Sequence, residues 1–409
     1  MVQTIGIDFG TTNSVVALRH EDGTTGVHRH GPGLAEVFRT LLCFWSEEER
    51  GRQLLHQAAG PGAIEAYLED PLESRLIMSM KTYLAQRSFT ETRIFGRIFT
   101  LERLIATFLG VLLADAPKAA RIVVGRPVRF AGELADDAFG ADRLQAAFAE
   151  AGLPEVTLML EPAAAGARFA STLRDPATVL IGDFGGGTSD FSLLRFDPLA
   201  GVTPLGHAGI GIAGDMFDFR IIDHAISPLL GRDDTYRVMG KTMPIPAEFY
   251  AGFARWHRLS LMRAPRTLRA IEEVARTALH PDRLRQLIGL IEGGLGYAMY
   301  QAVSGAKAAL SGAEETVLRF QHKDFVVDQR LTRAQFESWI APDLVRMGDT
   351  IDQALADAGM SAAAVDRVFL TGGTAFVPAV RRLFADRFGE DRLEGGGEFV
   401  SVAEGLALG

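Results

Sequence analysis

The chain carries one pattern of apolar and polar positions twice, about half its length apart. Residues 5–18 read IGIDFGTTNSVVAL, and residues 180–194 read LIGDFGGGTSDFSLL. Both segments are an apolar run, the triplet Asp-Phe-Gly, small polar residues and a second apolar run. Apolar runs of this kind predict strands, and the glycines between them allow a tight turn. The pattern therefore predicts two β-hairpins. Because a solenoid repeat would recur every ~20–50 residues, it also predicts two related lobes with a cleft between them.

Two further segments have a clear periodicity. Residues 101–116 are apolar but are interrupted by charged residues, and they are shorter than the roughly 20 apolar residues that span a bilayer. They predict a packed helix of a soluble protein, with one apolar face formed by Leu101, Leu104, Ile105, Phe108 and Leu112. Residues 368–374 read VFLTGGT and precede a helical pattern. A strand, two glycines and a helix form a geometry that nucleotides commonly approach.

Composition narrows the class of protein. The 409 residues are 47% hydrophobic and 23% charged, which is typical of a globular chain of two lobes. A formal net charge of -9 argues against nucleic-acid binding, because phosphate contacts need a basic face. The single cysteine, Cys43, excludes an internal disulfide and a cysteine-rich zinc site. The N-terminus has no signal-peptide pattern, so we expect a cytoplasmic protein that does not bind membranes.

The two predicted turns have the chemistry of a phosphate site. Backbone N–H groups and threonine hydroxyls can converge on phosphate oxygens, and a carboxylate at a strand end can hold a hydrated magnesium ion. Asp8 and Asp183 are the carboxylates in these positions. Protein kinases also contain Asp-Phe-Gly, but here the first triplet starts at residue 8 and leaves no room for the preceding glycine-rich loop and lysine strand. The protein-kinase interpretation is therefore excluded.

The order of these motifs resembles the ATPase domain of the heat-shock-70 (DnaK-type) family over essentially the whole chain. The resemblance implies an α/β protein of the actin-like ATPase fold, in which two ribonuclease H-like lobes surround a nucleotide cleft. We expect lobe I at 1–175, with a small subdomain near 37–98, and lobe II at 176–396, with an enlarged small subdomain near 214–312. Residues 397–409 are expected to form a closing helix that returns to lobe I.

The resemblance also implies roles for individual residues. The phosphate loops are expected at Gly10, Thr11, Thr12 and Asn13 and at Gly185, Gly186, Gly187 and Thr188. Magnesium and potassium are expected at Asp8, Asp183, Asp190 and Glu161. The segment from residue 71 to 82 resembles the one that carries the hydrolytic lysine, which is Lys81 here. Catalysis is expected from Lys81, Glu161, Asp183 and Thr188, and the other nucleotide contacts from Gly214, Lys307, Ser311, Gly372, Gly373 and Phe376.

Some matches have an equally good structural explanation, and some positions depart from the family. Pro127, Arg143 and Glu161 resemble the residues that couple nucleotide state to a partner domain. Pro127 and Pro162 also have structural explanations, because proline fixes φ and suits the first turn of a helix. Ser304 stands where the family has glutamate, and Phe376 stands where it has an arginine that covers the base. These two departures put the choice of base in question.

The predicted tip of lobe II and the end of the chain suggest a distinct branch. About ninety residues separate the segment at Gly214 from Lys307, more than a DnaK-type subdomain needs. The part at 255–276 is rich in arginine, which fits a solvated helix face or a docking patch for a partner. The match ends with the closing helix, so the chain resembles truncated relatives of the YegD type without a classical peptide-binding domain.

The residues support one leading function and two alternatives. We expect a slow ATPase that uses ATP/ADP, Mg²⁺ and K⁺ and acts as a molecular switch or chaperone-like protein on an unknown protein partner or client. A small-molecule kinase of the same fold would need an aspartate base that is not already assigned to metal. An actin-like filament protein would need a polymerisation surface that the sequence does not reveal.

Overall fold

The structure is a computed structural model, and it describes residues 2–31, 35–49, 52–70, 73–130, 135–161, 163–164, 175–197, 201–252, 262–323, 325–395 and 401–409. These residues form two compact units. The first unit comprises residues 1–211, 347–375 and 381–409, and the second comprises 212–346 and 376–380. The lobe and subdomain boundaries drawn from the sequence are a different division and stay predictions.

Strands and helices alternate along the described residues. The strands are β1 (Val2–Phe9), β2 (Asn13–His20), β3 (Thr25–Val27), β4 (Phe38–Arg39), β5 (Leu41–Glu49), β6 (Arg52–Ala59), β7 (Ser74–Met78), β8 (Glu91–Ile94), β9 (Arg97–Thr100), β10 (Ala119–Arg126), β11 (Val156–Leu160), β12 (Ala177–Phe184), β13 (Ser189–Asp197), β14 (Gly201–Ile210), β15 (Thr235–Val238), β16 (Lys241–Pro244), β17 (Glu315–His322), β18 (Phe325–Thr332), β19 (Arg367–Thr371) and β20 (Leu393–Gly395). The helices are α1 (Gly60–Glu69), α2 (Leu101–Leu112), α3 (Asp137–Glu150), α4 (Gly214–Ile221), α5 (Glu248–Ala251), α6 (Pro265–Ala275), α7 (Pro281–Glu292), α8 (Gly296–Gly312), α9 (Arg333–Asp357), α10 (Pro378–Phe388) and α11 (Ser401–Leu408).

The first unit contains two sheets with the same construction. One has the strand order β3-β2-β1-β10-β11, with β4 also paired to β2, and the other has the order β14-β13-β12-β19-β20. In each, an antiparallel hairpin (β1–β2 or β12–β13) lies next to two parallel strands. The internal repeat predicted from the sequence is therefore confirmed in the fold.

A hydrophobic core lies against the first sheet. Ile7, Phe9 and Val124 of the sheet belong to one buried cluster with Phe108 of α2 and Phe148 of α3. Helix α2 begins at a Thr100 cap whose hydroxyl accepts from the Arg103 backbone N–H at 3.2 Å, which supplies a partner for one free helix-end donor. The apolar face predicted for this helix is buried.

The last helix packs closely on the first sheet. A Cβ added at Gly6 of β1 would lie 2.3 Å from the backbone oxygen of Ala403, so only glycine fits where α11 crosses this strand. The Arg19 guanidinium donates to the Leu408 carbonyl at 3.1 Å and satisfies an acceptor at the helix end. Helix α11 therefore belongs to the same unit as β1, β2 and β10.

The second unit is mainly helical and includes two hairpins, β15–β16 and β17–β18. Phe217 of α4 contacts Phe336 of α9 edge to face, with ring centroids 6.1 Å apart. Arg220 forms two hydrogen bonds to Asp343, at 2.7 and 2.9 Å, and this Asp343 side chain is 1% exposed. Paired hydrogen bonds of this kind give a buried charge the partners it needs.

The predicted basic segment at 255–276 is described only in part. Arg255 and Arg258 lie outside the described residues. Helix α6 carries Arg266 and Arg269 on its exposed side, with Ile271 and Ala275 buried. No helix among the described residues is long and apolar enough to cross a membrane.

Candidate functional site

The turns of the two repeated hairpins come together at one cavity of the first unit. The Gly185 N–H donates to the Thr188 carbonyl at 2.8 Å and closes the second turn. A Cβ added at Gly186 would lie 2.7 Å from Cγ2 of Thr12, so the second turn lies directly against the first. The cavity beside them has a volume of about 560 Å³, which lies within the usual range for small-molecule sites.

Neighbouring strands hold the first turn in place. The Thr40 N–H donates to the Thr12 carbonyl at 2.8 Å, and the hydroxyls of Ser14 and Thr40 are hydrogen-bonded at 2.8 Å in a buried position. The Arg39 guanidinium donates to Oδ1 of Asn13 at 3.2 Å. Thr11 and Thr12 therefore face the cavity from a turn whose backbone is already bonded on its other side.

Four carboxylates line this cavity: Asp8, Glu161, Asp183 and Asp190. Burial, followed by the charge of Glu161, raises the pKa of Asp8 to about 7. Burial, with the charges of Asp8 and Glu161 as further causes, also holds the pKa of Asp183 well above its usual range. The pKa of Asp190 is raised to about 6, again mainly by burial. A cation in the cavity would relieve this accumulation of negative charge.

Lys81 is held within the cavity by Glu161. It lies in a short 3₁₀ turn, Met80–Tyr83, that follows β7, and Glu161 directly follows β11. The Lys81 Nζ donates to Oε1 of Glu161 at 2.5 Å, and Lys81 is 8% exposed. Burial opposes its charge, but the carboxylates of Glu161 and Asp8 outweigh burial and raise the pKa of Lys81. Lys81 is therefore a positioned ammonium group and not a solvated surface lysine.

A histidine supports the carboxylate of the second hairpin. His207 of β14 hydrogen-bonds through Nδ1 to the Ser192 hydroxyl at 3.0 Å, and its Nε2 lies 3.8 Å from Oδ1 of Asp190. Burial, followed by the charge of Arg129, lowers the pKa of His207. A Cβ added at Gly209 would lie 2.5 Å from Oδ1 of Asp190, so glycine at this position admits the carboxylate.

The third glycine element also reaches the cavity. Gly372 has a φ of +90°, and an added Cβ would lie 2.0 Å from the carbonyl oxygen of Phe184. Both the backbone conformation and the close approach require glycine here. Because β19 pairs with β12 in parallel, Gly372 leaves its strand beside the second hairpin turn.

The structure groups most of the predicted site residues in this one cavity. Its lining includes Asp8, Gly10, Thr11, Thr12, Asn13, Lys81, Glu161, Asp183, Gly185, Gly186, Thr188, Asp190 and Gly372. Gly187, in the second hairpin turn, and Gly373, in the third glycine element, do not line the cavity.

The other predicted site residues belong to the second unit. There the Lys307 ammonium donates to the Gly214 carbonyl at 3.1 Å and lies 3.0 Å from Oδ1 of Asp218. The Ser311 hydroxyl donates to the Lys307 carbonyl at 3.5 Å. Phe376 is 55% exposed.

Of the three predicted coupling residues, Pro127 and Glu161 line the cavity and Arg143 does not. Arg143 is buried, and its guanidinium donates to Glu102 at 2.5 Å and to the carbonyls of Tyr83 and Phe89 at 3.3 and 3.1 Å. These contacts join α3 to α2 and to the segment after Lys81, and the coupling role of Arg143 stays a prediction. Most of the connecting helix predicted after Glu161 lies outside the described residues.

Several lining residues were not expected from the sequence. They include Arg129, His207 and the backbone from Gly209 to Gly211. The alternation of glycine with other residues in GHAGIGIAG was a visible signal for close backbone approach. Its position at the cavity depends on the register of β14 against β13, which pairs Asp190 with Gly209.

The donors present fit a hydrated cation better than a directly bound one. Among the described residues, no group of three or more His, Cys, Asp or Glu side chains is arranged to hold a metal ion. The cavity nevertheless gathers four carboxylates against two permanently basic side chains, Lys81 and Arg129. An ion held through its own water shell, as magnesium commonly is, suits carboxylates that face one space without closing on a single point.

The repeated sheets and the two turns at one cavity define an α/β protein of the actin-like ATPase fold. The family model described as Hsp70 protein matches residues 297–408. The chain is 27% identical over 430 residues to the chaperone protein DnaK of Thermus thermophilus, an alignment that covers 100% of this chain and 60% of that protein. It is 26% identical over 439 residues to DnaK of Deinococcus radiodurans, with 100% and 59% covered. The chain is similar to Hsp70 proteins in this matched segment and along its length in these alignments, and it spans about 60% of the length of these relatives.

Proposed function

We propose that the first unit binds ATP with magnesium and hydrolyses it slowly to ADP and phosphate. The observation that carries this proposal is the meeting of two Gly/Thr turns at a cavity that also contains the Lys81–Glu161 pair and three aspartates. The phosphate chain would lie on the turn Gly10 to Asn13 and on the turn Gly185 to Thr188, whose N–H groups and hydroxyls suit phosphate oxygens.

The carboxylates would hold the metal. Asp8, Asp183 and Glu161 fit a magnesium ion through its water shell, and Asp190 fits potassium. The bound magnesium would offset the negative charge of the phosphates, which the anionic cavity alone would repel.

The side chains at the cavity would position the reaction. Lys81, held by Glu161, and Thr188 would orient water for in-line attack, and Asp183 would support that arrangement through the metal. Such a site accelerates the reaction by positioning and charge stabilisation. The assignment of Gly214, Lys307, Ser311, Gly373 and Phe376 to the nucleotide stays a prediction from the resemblance.

We propose that the chain uses this reaction as a switch or chaperone-like device that acts on a protein partner or client in the cytoplasm. The curated relatives that match the chain along its length are named chaperones, which supports this class over a small-molecule kinase or a filament protein. Membership of a YegD-like branch and partner docking through the arginine-rich segment also remain proposals.

The proposed reaction is tested by measuring ATP affinity and ADP release for the wild type and for Lys81→Ala. We expect slow turnover by the wild type. The variant should lose hydrolysis but keep ATP affinity within about threefold, because an interaction made mainly in the transition state affects rate more than binding. Lys118→Ala, at an exposed lysine before β10, is the matched control and should behave as the wild type.

Two results would contradict the proposal. A wild type that binds ATP but releases no ADP would exclude the ATPase. A Lys81→Ala variant with the wild-type rate would show that the buried ammonium group serves the fold alone.

A further inference from the structure

Arg129 is a basic side chain of the cavity that neither the fold nor the proposed reaction has yet explained. It follows β10 by three residues and lines the cavity together with both hairpin turns. Its side chain is exposed, and it forms no ion pair with any other described residue. By contrast, the ammonium group of Lys81, the other basic group of the lining, is bound to Glu161.

The sheet places Arg129 on the side of the cavity where Lys81 and Glu161 meet. Strands β10 and β11 are parallel neighbours, and Arg126 pairs with Leu160 at their ends. The segment that carries Arg129 and the residue Glu161 therefore leave the sheet at the same edge. The charge of Arg129 also contributes to the lowered pKa of His207, which lines the same cavity as Asp190.

We propose that Arg129 contacts the terminal phosphate of bound ATP. The inference rests on the proposed function, because it adds a residue to the same site. A guanidinium offers two parallel donors that match two phosphate oxygens, and it adds positive charge to this mainly anionic cavity. Of the three phosphates, the terminal one is expected next to the Lys81–Glu161 pair, where the attacking water is oriented. This is the edge from which Arg129 extends.

Calorimetric titration with ATP and with ADP, both in the presence of magnesium, tests the contact. Arg129→Ala should weaken ATP binding roughly tenfold or more, the size expected for loss of a charged hydrogen bond, while ADP affinity changes less than threefold. Arg129→Lys should recover part of the ATP affinity, because it restores the charge without the paired donors. Arg126→Ala is the matched control from the end of the same strand. Arg126 does not line the cavity, so both affinities should be unchanged.

The outcomes separate this inference from the proposed function. Wild-type ATP affinity in Arg129→Ala, or an equal loss of ATP and ADP affinity, would overturn the terminal-phosphate contact while leaving nucleotide binding intact. A wild type that binds neither nucleotide would overturn both. The melting temperature of each variant without nucleotide shows that it is folded, and an exposed side chain such as Arg129 should change it little.

Discussion

Individual titratable side chains in this protein are buried in two different settings. At the cavity, carboxylates lie close together around Lys81. Their raised pKa values indicate a site that a bound cation would stabilise. Elsewhere, His28 and His30 pack against each other and His30 packs against Phe38, with ring centroids 4.7 and 5.0 Å apart. The Nε2 atoms of both histidines are buried without a hydrogen-bond partner among the described residues. Such histidines are stable while neutral.

His30 should make the protein sensitive to acid. Burial, followed by the proximity of His28, lowers the pKa of His30 to about 4, below its ordinary value of 6.5. The unfolded state therefore binds more protons than the folded state between pH 6.5 and pH 4, and the free energy of unfolding falls as the pH is lowered through this window. In urea denaturation, we expect the free energy of unfolding of His30→Gln to fall less over this window than that of the wild type, by on the order of 1 kcal/mol.

The same variant contains its own control. From pH 7.5 upwards, His30 is neutral in both the folded and the unfolded state. In that range the difference in free energy of unfolding between His30→Gln and the wild type should not change with pH. An identical slope for the two proteins below pH 6.5 would show that His30 does not charge on unfolding.

At the residue scale, the sequence indicates which residues resemble those of a known site, but it does not show which distant groups their side chains contact. Lys81 and Arg143 were both assigned from the resemblance. In the structure, Lys81 lies at the cavity and donates to Glu161, whereas Arg143 donates to Glu102 and to backbone carbonyls. Neither set of contacts was predictable from local sequence, because Glu161 is 80 residues from Lys81, and Glu102 and Phe89 are 41 and 54 residues from Arg143.

At the scale of elements, the close approach of the two hairpin turns depends on particular glycines. Both hairpins were predictable, since each has an apolar run on either side of glycines. The other backbone segments that line the cavity were not predictable, because their position depends on strand register. The pairing of Gly209 with Asp190 is an example. The close approach of the turns is seen at Gly186, where an added Cβ would lie 2.7 Å from Cγ2 of Thr12 in the other hairpin.

Replacing Gly186 should separate the turns. In Gly186→Ala the new Cβ would lie within 3.0 Å of three Thr12 side-chain atoms, so one turn must shift. Without nucleotide, we expect the variant to unfold about 1–3 kcal/mol more easily, as overpacking usually costs. Gly187→Ala is the neighbouring control, since its Cβ would meet nothing within 4 Å, and its stability should match the wild type. Equal stability of the two variants, measured by urea denaturation, would contradict the close approach.

For the whole molecule, the fold was predictable because the motif of its repeated hairpin occurs twice in the sequence. Two hairpins with the same motif became two sheets with the same strand order. The division into two compact units was harder to predict from the sequence. Both hairpins and α11 fall in the first unit, whereas residues 212–346 form the second. Contacts between segments far apart in the chain decide this division, and no local pattern encodes them.

We expect ATP and magnesium to bind together in the cavity of the first unit. The most direct test is the melting temperature with and without both ligands, for the wild type and for Asp183→Asn. A ligand that binds the native state alone must raise the melting temperature of the wild type. The asparagine removes one of the crowded buried carboxylates, so the variant without ligands should melt at the same or a higher temperature and yet lose most of the ligand-induced rise. A wild type that ATP and magnesium do not stabilise, or a variant that keeps the full rise, would contradict the account.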